Sequence, residues 1–279
     1  ILKRVKEMIL TSKKNQDGSW SDLFIIKQLL LEKDSEFKGT IKFFDHHLTH
    51  QKYGEQMINW ESFFSLSYDG GGECDSTVLN VVEKGKKRNI SRHKWPNSLG
   101  HFYSTFTGFL GFKMLEGEYK MMGLASFGKP EYYEQLKKTI YFKDDNLIVD
   151  TKYYDYVRRT DRSYSDELVN LLGTKPRAPN IPLEIGQKNF QTYADIASSA
   201  QKLLEELLFL ILKYANELTK ENRFLFSGGV AMNSSAVSKA SKLEFIKELN
   251  IPPSPGDSGA AIGAAYYGLI KENKTKLLT

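Results

Sequence analysis

The chain has 279 residues, of which 41% are hydrophobic, and a single cysteine, Cys74; these features exclude an intrinsically disordered chain, an internal disulfide and a thiolate metal cluster, and they predict a cytoplasmic location. Lys and Arg number 39 against 34 Asp and Glu, for a net charge of +5, and this mild excess indicates solvated basic faces or an anionic small substrate rather than a nucleic-acid surface. No apolar run approaches about 20 residues and the start lacks a signal-peptide pattern, so no membrane-spanning segment is expected.

The N-terminal segment is predicted to form helix followed by a strand. The chain starts at Ile1 rather than at Met, which predicts a fragment or a processed product. Residues 1–40 predict mostly helix with polar faces, because apolar residues recur at helical spacing between positions 25 and 30. The apolar run 41–44 predicts a short buried strand.

Two further strands are predicted next. Residues 62–68 form an apolar strand that ends at an Asp-Gly-Gly-Gly sequence, and residues 78–82 suit an antiparallel partner. The glycines and aromatics between 99 and 129 predict close backbone approaches rather than one long helix. Residues 141–190 are weakly patterned and contain a proline-marked loop.

The last third of the chain carries the clearest helix. Residues 192–219 place their apolar side chains on one face at helical spacing, which predicts a core-packing helix. Residues 223–226 predict a strand that stops at Ser-Gly-Gly-Val-Ala, and a helix is expected from Asn233. Residues 255–259 open a further helix rich in small residues.

Three of the five histidines lie close together, at His46, His47 and His50. If this segment is helical, His46 and His50 share one face four residues apart and can bind one divalent metal. Asp45 could then orient one of the rings. Ordinary surface histidines at a helix start are the alternative, and the clustering favours a functional site.

The sequence Asp69-Gly70-Gly71-Gly72 follows the 62–68 strand. A carboxylate at a strand end can hold a cation, and glycines expose backbone N–H groups to a phosphate. A tight hairpin turn explains the same residues, and the two interpretations are compatible.

Two later glycine motifs are ambiguous. The stretch 227–231 lacks the lysine of a P-loop and the spacing of a dinucleotide fingerprint. It could hold a nucleotide against bare backbone, or it could be a strand-to-helix turn that needs glycine. Asp257 could likewise be a helix N-cap or a metal ligand. Spacing alone favours the structural interpretation for both.

Taken together, these blocks resemble the nodulation and antibiotic O-carbamoyltransferase family, which has Asp-His-His-Leu-Ala-His, Asp-Gly, Leu-Gly-Phe, Gly-Gly-Val-Ala and Pro-Gly-Asp-Ser-Gly motifs in the same order. Seven blocks match over most of the chain, which makes the resemblance specific. The matching residues are Asp45–His50, Asp69–Gly70, Ser98–Tyr103, Leu110–Phe112, Gly117–Ala125, Gly228–Asn233 and Pro255–Ala261.

The resemblance implies an α/β protein with the two-lobed fold of actin-like ATPases and sugar kinases, similar to the tRNA threonylcarbamoyl transferase domain. It implies a partial first lobe at 1–58, truncated at its N-terminus, and a second lobe with the nucleotide motifs at 59–256. Residues 257–279 would return as a helix to the first lobe.

The resemblance also implies a site. One metal, Fe²⁺ or another divalent ion, would be bound by a set of four residues, although nitrogen and oxygen ligands do not by themselves identify iron. The implied metal ligands are His46, His50, Asp69 and Asp257, and the implied nucleotide contacts are Gly70, Gly71, Lys120, Gly228, Gly229 and Asn233.

The implied reaction is carbamoyl transfer from carbamoyl-adenylate to the hydroxyl of a small-molecule acceptor. The donor would be made from carbamoyl phosphate and ATP by a further domain or chain. We hypothesise that His47 faces the donor and takes the hydroxyl proton as a general base. Residues 51–55 replace the small residues usual in the family, which predicts a different acceptor pocket.

Three alternatives remain open. The first is a tRNA-modifying threonylcarbamoyl transferase, although residues 45–48 and 118–125 fit the O-carbamoyl group better. The second is a sugar or acid kinase, against which the paired histidines argue, because a kinase holds Mg²⁺ on carboxylates and phosphates. The third is a non-catalytic remnant that binds nucleotide or a partner chain, since nothing matches the strand hairpin that opens the family fold.

Overall fold

The computed structural model describes residues 26–36, 38–39, 42–159, 161–179 and 181–271. The chain divides into two compact units, Ile1–Phe43 and Phe44–Thr279. In the first unit, the described helix is α1 (Ile26–Lys33). All further elements belong to the second unit.

The second unit is a mixed α/β structure. Short 3₁₀ turns at Asp155–Val157 and Gly229–Met232 join some of its elements. In chain order the elements are α2 (His46–Glu55), β1 (Ser62–Tyr68), β2 (Asp75–Glu83), β3 (Lys86–Lys94), α3 (Leu99–Phe109), α4 (Glu118–Ala125), α5 (Tyr133–Leu136), β4 (Ile140–Lys143), β5 (Asn146–Val149), α6 (Asp166–Leu172), α7 (Phe190–Thr219), β6 (Arg223–Ser227), α8 (Ser234–Ala240), β7 (Glu248–Asn250) and α9 (Asp257–Lys271).

The main sheet has five strands in the order β3-β2-β1-β6-β7. β1 runs antiparallel to β2 and parallel to β6, with Ser67 opposite Ser227 in the parallel pair. The carboxyl ends of β1 and β6 therefore lie side by side. Asp69 leaves the sheet at one of these ends and Gly228 at the other, which brings two of the predicted motifs to the same edge.

The core contains residues of this sheet, of α3 and of the long helix α7. Phe64 and Leu66 of β1 are fully buried with Phe102 and Phe106 of α3, and the apolar face of α7 belongs to the same cluster. β1 is buried on both faces apart from its first residue, as expected for a central strand that pairs on both sides. The sheet edge that carries the motifs is thus anchored by the best-packed part of the molecule.

Most of the predicted elements are confirmed. The strands at 62–68 and 223–226, the antiparallel partner of the first and the helices around 192–219 and after 257 are present. Helix α1 agrees with the helical prediction over its own length, and residue 25 lies outside the described residues. Between 99 and 129 the chain forms two separate helices rather than one long helix, and Gly100 and Gly128 lie against the backbone of other segments, as predicted.

One predicted strand is absent, and one weakly patterned stretch contains elements that the sequence did not predict. The predicted strand at 41–44 is wrong, because the described residues 42–44 are irregular and Phe43 is 58% exposed. An apolar run becomes a strand only where a neighbouring strand supplies hydrogen bonds, and the structure describes none beside it. The β4–β5 hairpin and α6 lie mostly within the weakly patterned stretch 141–190, for which the sequence predicted only the proline-marked loop; the described residues of that loop are irregular, as predicted.

Among the residues described, every helix is too short or too polar to traverse a lipid bilayer.

Candidate metal centre

The histidine pair is presented by the first turns of α2. Asp45 caps the helix, since its carboxylate accepts a hydrogen bond from the N–H of Leu48 at 2.8 Å. The helix starts at His46, so His46 and His50 lie on one face with their Nε2 atoms 3.1 Å apart. The expected helical spacing is thereby realised, and the contact described for Asp45 is with backbone.

Asp69 is fixed by the two glycine motifs. Its carboxylate accepts hydrogen bonds from the N–H groups of Gly70 at 2.6 Å and Gly229 at 3.0 Å. Gly228 has φ +90°, and a Cβ there would overlap the carbonyl oxygen of Tyr68. Only glycine permits this turn. The turn therefore needs glycine for its backbone, as suggested, and in addition it directs the N–H of Gly229 at a site carboxylate.

Asp257 reaches the same place from the start of α9. This helix packs directly on α2, because a Cβ on Gly263 would overlap the carbonyl oxygen of Thr49 and one on Gly259 would overlap the ring of Tyr53. Asp257 is the first residue of α9, and its side chain is 78% exposed. The close helix contact is what brings this exposed carboxylate to the histidines.

The four residues converge. One ligand atom from each of His46, His50, Asp69 and Asp257 can be chosen so that all lie within 4.8 Å of one another. The Nε2 atom of His50 lies 3.1 Å from Asp69 and 3.4 Å from Asp257, and that of His46 lies 3.5 Å and 3.8 Å from them. Bonds of about 2.0–2.2 Å to one metal would place neighbouring donor atoms about 3 to 3.5 Å apart. Two imidazoles and two carboxylates with this spacing fit a divalent transition metal.

The electrostatics also favour a cation. Burial alone would lower the pKa of His50, but Asp257 and Asp69 raise it to about 9. Burial alone would raise the pKa of Asp69, but hydrogen bonds from His46 and His50 hold it well below its ordinary value. In the metal-free chain the imidazole of His50 therefore keeps its proton at neutral pH, stabilised by the two carboxylates that would otherwise face a cation.

His47, the predicted base, points away from this cluster. Its ring is fully buried, with Nδ1 2.8 Å from the hydroxyl of Ser67 and Nε2 3.0 Å from the carbonyl oxygen of Asp75. Burial lowers the pKa of His47. The structure thus does not place this histidine in contact with the four clustered residues through either ring nitrogen.

The predicted nucleotide residues fall into two groups. Gly70 and Gly229 contact Asp69 directly, and Gly71 lies beside Trp95 in the same loop. Lys120 is exposed on α4, where its ammonium lies 5.8 Å from the ring of Tyr119. Gly70 and Gly229 are therefore at the metal cluster, whereas the described contacts of Gly71 and Lys120 lie outside it.

Asn233 takes part in a buried polar network. It caps α8 through the N–H of Ala236, and its amide exchanges two hydrogen bonds with Gln201 at 3.0 Å each. Gln201 also lines a cavity of about 360 Å³ together with Glu205, Ser235 and Lys239. Of this network, sequence reasoning identified Asn233 and missed the α7 residues, because core-facing polar positions on a long helix give no signal of their own.

Other contributors to the site were also missed. The carboxylate of Glu73 accepts from the N–H of His46 at 3.2 Å, and the hydroxyl of Ser98 bonds the backbone carbonyls of Asp69 and Gly70. Gln51, expected to alter an acceptor pocket, instead donates to the carbonyls of Ser65 and Val78. The Ser98 block was visible in the sequence, but its contact with the Asp69 loop was not.

Comparison with known proteins adds to this geometry. A family model described as "Carbamoyltransferase N-terminus" matches residues 4–266. An uncharacterized protein of Synechocystis sp. is 34% identical over 80% of this chain and 35% of its own length. The nodulation protein NolNO of Sinorhizobium fredii is 29% identical over 81% of this chain and 31% of its own. The chain thus spans about a third of these relatives.

A crystal structure of full-length HypF in its phosphate- and nucleotide-bound form is also similar, with a TM-score of 0.47 and 14% identity, covering 91% of this chain and 50% of that one.

Proposed function

Because the chain belongs to the carbamoyltransferase family, whose N-terminal model covers residues 4–266, we propose that it transfers a carbamoyl group from carbamoyl-adenylate to the hydroxyl of a small-molecule acceptor. One observation carries this proposal: His46, His50, Asp69 and Asp257 converge beside two glycine turns. A divalent metal, Fe²⁺ by family resemblance, would be held by these four residues. When bound, it supplies a Lewis acid that can polarise an oxygen of the donor.

The glycine turns would hold the nucleotide. The bare backbone at Gly228 and Gly229 lets a phosphate approach closely. The nucleoside would extend towards the cavity at Gln201, Glu205 and Lys239, which is connected to that turn through Asn233. In this placement the reactive carbonyl of the donor lies on the side of the metal, and its adenine lies on the side of α7.

The transfer needs no reactant besides carbamoyl-adenylate and the acceptor. The oxygen of the acceptor hydroxyl forms a bond to the carbamoyl carbon, and the bond from that carbon to the adenylate phosphate oxygen breaks. AMP leaves, and the hydroxyl proton passes to a phosphate oxygen of the departing AMP. The chain's own part is to orient the donor against the glycine turns, where no side chain intervenes, and to exclude water from the buried side of the cluster.

The architecture of the proposed enzyme follows the family resemblance. We infer a two-lobed fold in which residues 1–58 and 257–279 belong to the first lobe and 59–256 to the second. The packing of α9 on α2 supports this, because it joins segments from the two ends of the chain. A domain or chain that makes carbamoyl-adenylate is the implied partner, and the single cysteine suits a cytoplasmic location.

A transfer assay tests the function. The metal-loaded chain is given carbamoyl-adenylate labelled in its carbamoyl carbon, with a panel of hydroxyl compounds or with tRNA. We expect label in a hydroxyl compound, and Asp69→Asn should abolish it. Label in tRNA would indicate the tRNA-modifying activity, and nucleotide binding without any transfer would indicate a non-catalytic chain; either result would overturn the proposal.

A further inference from the structure

The buried imidazole of His47 has a defined set of partners. It lies next to His46 in α2, and the two rings meet edge to face with centroids 5.3 Å apart. The carbonyl oxygen of Asp75 can only accept a hydrogen bond, so the Nε2 atom of His47 carries the proton. Nδ1 is then the acceptor, and the hydroxyl of Ser67 donates to it. These contacts assign one neutral tautomer.

The same contacts join the pieces that carry the metal ligands. Ser67 is fully buried near the end of β1, two residues before Asp69. Asp75 is the first residue of β2, and its carbonyl oxygen also accepts from the N–H of Gly72 at 2.7 Å. The ring of His47 therefore links α2, which presents His46 and His50, to the end of β1 and to the start of β2. Asp69 lies in the loop between these two strands.

The arrangement is unsuited to general-base catalysis. Both ring nitrogens of His47 are used by protein partners, and its exposed fraction is 0%. Any buried imidazole needs partners for its ring nitrogens, and here the two partners lie on two different strands of the site, Ser67 on β1 and Asp75 on β2. Since adjacent residues of a helix point in different directions, fixing His47 fixes the rotation of α2 and hence the directions of His46 and His50.

We propose that His47 is a positioning residue that locks α2 to β1 and β2, so that the imidazoles of His46 and His50 are aimed at Asp69. The inference rests on the proposed metal site and adds to it a residue that touches neither metal nor substrate. Residues that orient metal ligands usually change metal affinity by about 10- to 100-fold, and this is the loss expected when both hydrogen bonds are removed.

The test compares variants of the 279-residue chain by titration with Co²⁺ alone, followed by its visible absorption. His47→Phe removes both hydrogen bonds and should weaken Co²⁺ binding by about 10- to 100-fold, with a changed spectrum. His47→Gln can still donate to Asp75 and should recover part of the affinity. His93→Phe is the matched control, because His93 is also buried but contacts Phe142 rather than the site.

The outcomes separate the two proposals. If a folded His47→Phe chain binds Co²⁺ like the wild type, or if His93→Phe weakens binding as much, the positioning role is excluded. If His47→Phe does not fold, Ser67→Ala replaces it: weaker binding than wild type supports the role, and unchanged binding excludes it. A folded wild-type chain that binds no Co²⁺ would instead remove the metal site itself.

Discussion

At the scale of single residues, the site is organised around Asp69. Its carboxylate faces two imidazoles and also accepts two backbone N–H groups, so the same side chain serves the metal cluster and the glycine turns. Replacing Asp69 by asparagine removes the negative charge but leaves an oxygen that can accept a hydrogen bond from backbone. The charge and the fold can therefore be separated by experiment.

Asp69→Asn should lower metal affinity by at least about 100-fold, more than is usual for residues outside a ligand set. Folding should be retained, because the amide oxygen can still accept from Gly229. Titration calorimetry with Co²⁺ measures the change. Asp155→Asn is the control, since Asp155 is a buried carboxylate paired with Arg162; an equal loss there would show that the effect is not local.

The raised pKa of His50 gives a pH dependence in the metal-free chain. The pKa moves from an ordinary 6.5 to about 9, so the stabilising interaction is fully present below pH 6.5 and is lost as pH rises through about 9. The full effect is about 3 kcal/mol. Urea unfolding with a chelator should show this decline between those pH values, and His50→Gln should flatten it. A wild-type profile that is flat over that interval would contradict the assignment.

Site residues could be predicted from the sequence where they belong to a recognisable motif. His46 and His50 were proposed from spacing, whereas Asp69 and Asp257 joined them only through the family resemblance, since 188 positions separate these two carboxylates along the chain. The hydrogen bonds of His47 could not be foreseen, because a histidine motif does not say which side of the helix faces the sheet.

At the scale of elements, the contact between α2 and α9 decides whether the cluster exists. Gly263 lies so close to Thr49 that even one methyl group would overlap backbone, whereas a Cβ at Gly268 would meet the ring of Phe44 at an ordinary 3.7 Å. Two glycines of one helix thus offer a matched pair of alanine substitutions.

Gly263→Ala should destabilise the chain by about 1–3 kcal/mol, the usual cost of overpacking, and should weaken metal binding because Asp257 moves with the helix. Gly268→Ala should be neutral or stabilising by up to about 1 kcal/mol, since alanine favours helix. Thermal unfolding and Co²⁺ titration of both variants provide the measurement. Similar behaviour of the two variants would show that the close approach is unimportant.

Elements with strong local patterns were predictable, and those defined by partners were not. The strand at 62–68 has an apolar run that ends at an Asp-Gly-Gly-Gly sequence; it pairs with the predicted antiparallel strand and also with β6, which was not predicted. The run at 41–44 has a similar composition, yet its described residues form no strand. Composition indicates whether a segment can form a strand, whereas hydrogen-bonded neighbours determine whether it does form one.

At the scale of the whole molecule, the parallel pairing of β1 with β6 places two functions at one sheet edge. Asp69 follows β1 and belongs to the proposed metal site, and the Gly228–Gly229 turn follows β6 and belongs to the proposed nucleotide site. The hydrogen bond from Gly229 to Asp69 connects them. Binding at one site should therefore change the affinity of the other, and thermodynamic linkage makes this effect reciprocal.

We therefore expect AMP, the proposed product, to bind more tightly to the metal-loaded chain than to the chelator-treated chain, by about 5- to 150-fold. Calorimetry on protein dialysed free of unbound metal measures both affinities. Asp69→Asn should abolish the difference, because it removes the carboxylate charge on which metal binding depends, and Asp155→Asn should preserve it. Equal AMP affinity in the two wild-type forms would mean that the sites are independent despite the hydrogen bond between them, and the nucleotide would then have to be placed away from the Gly229 turn.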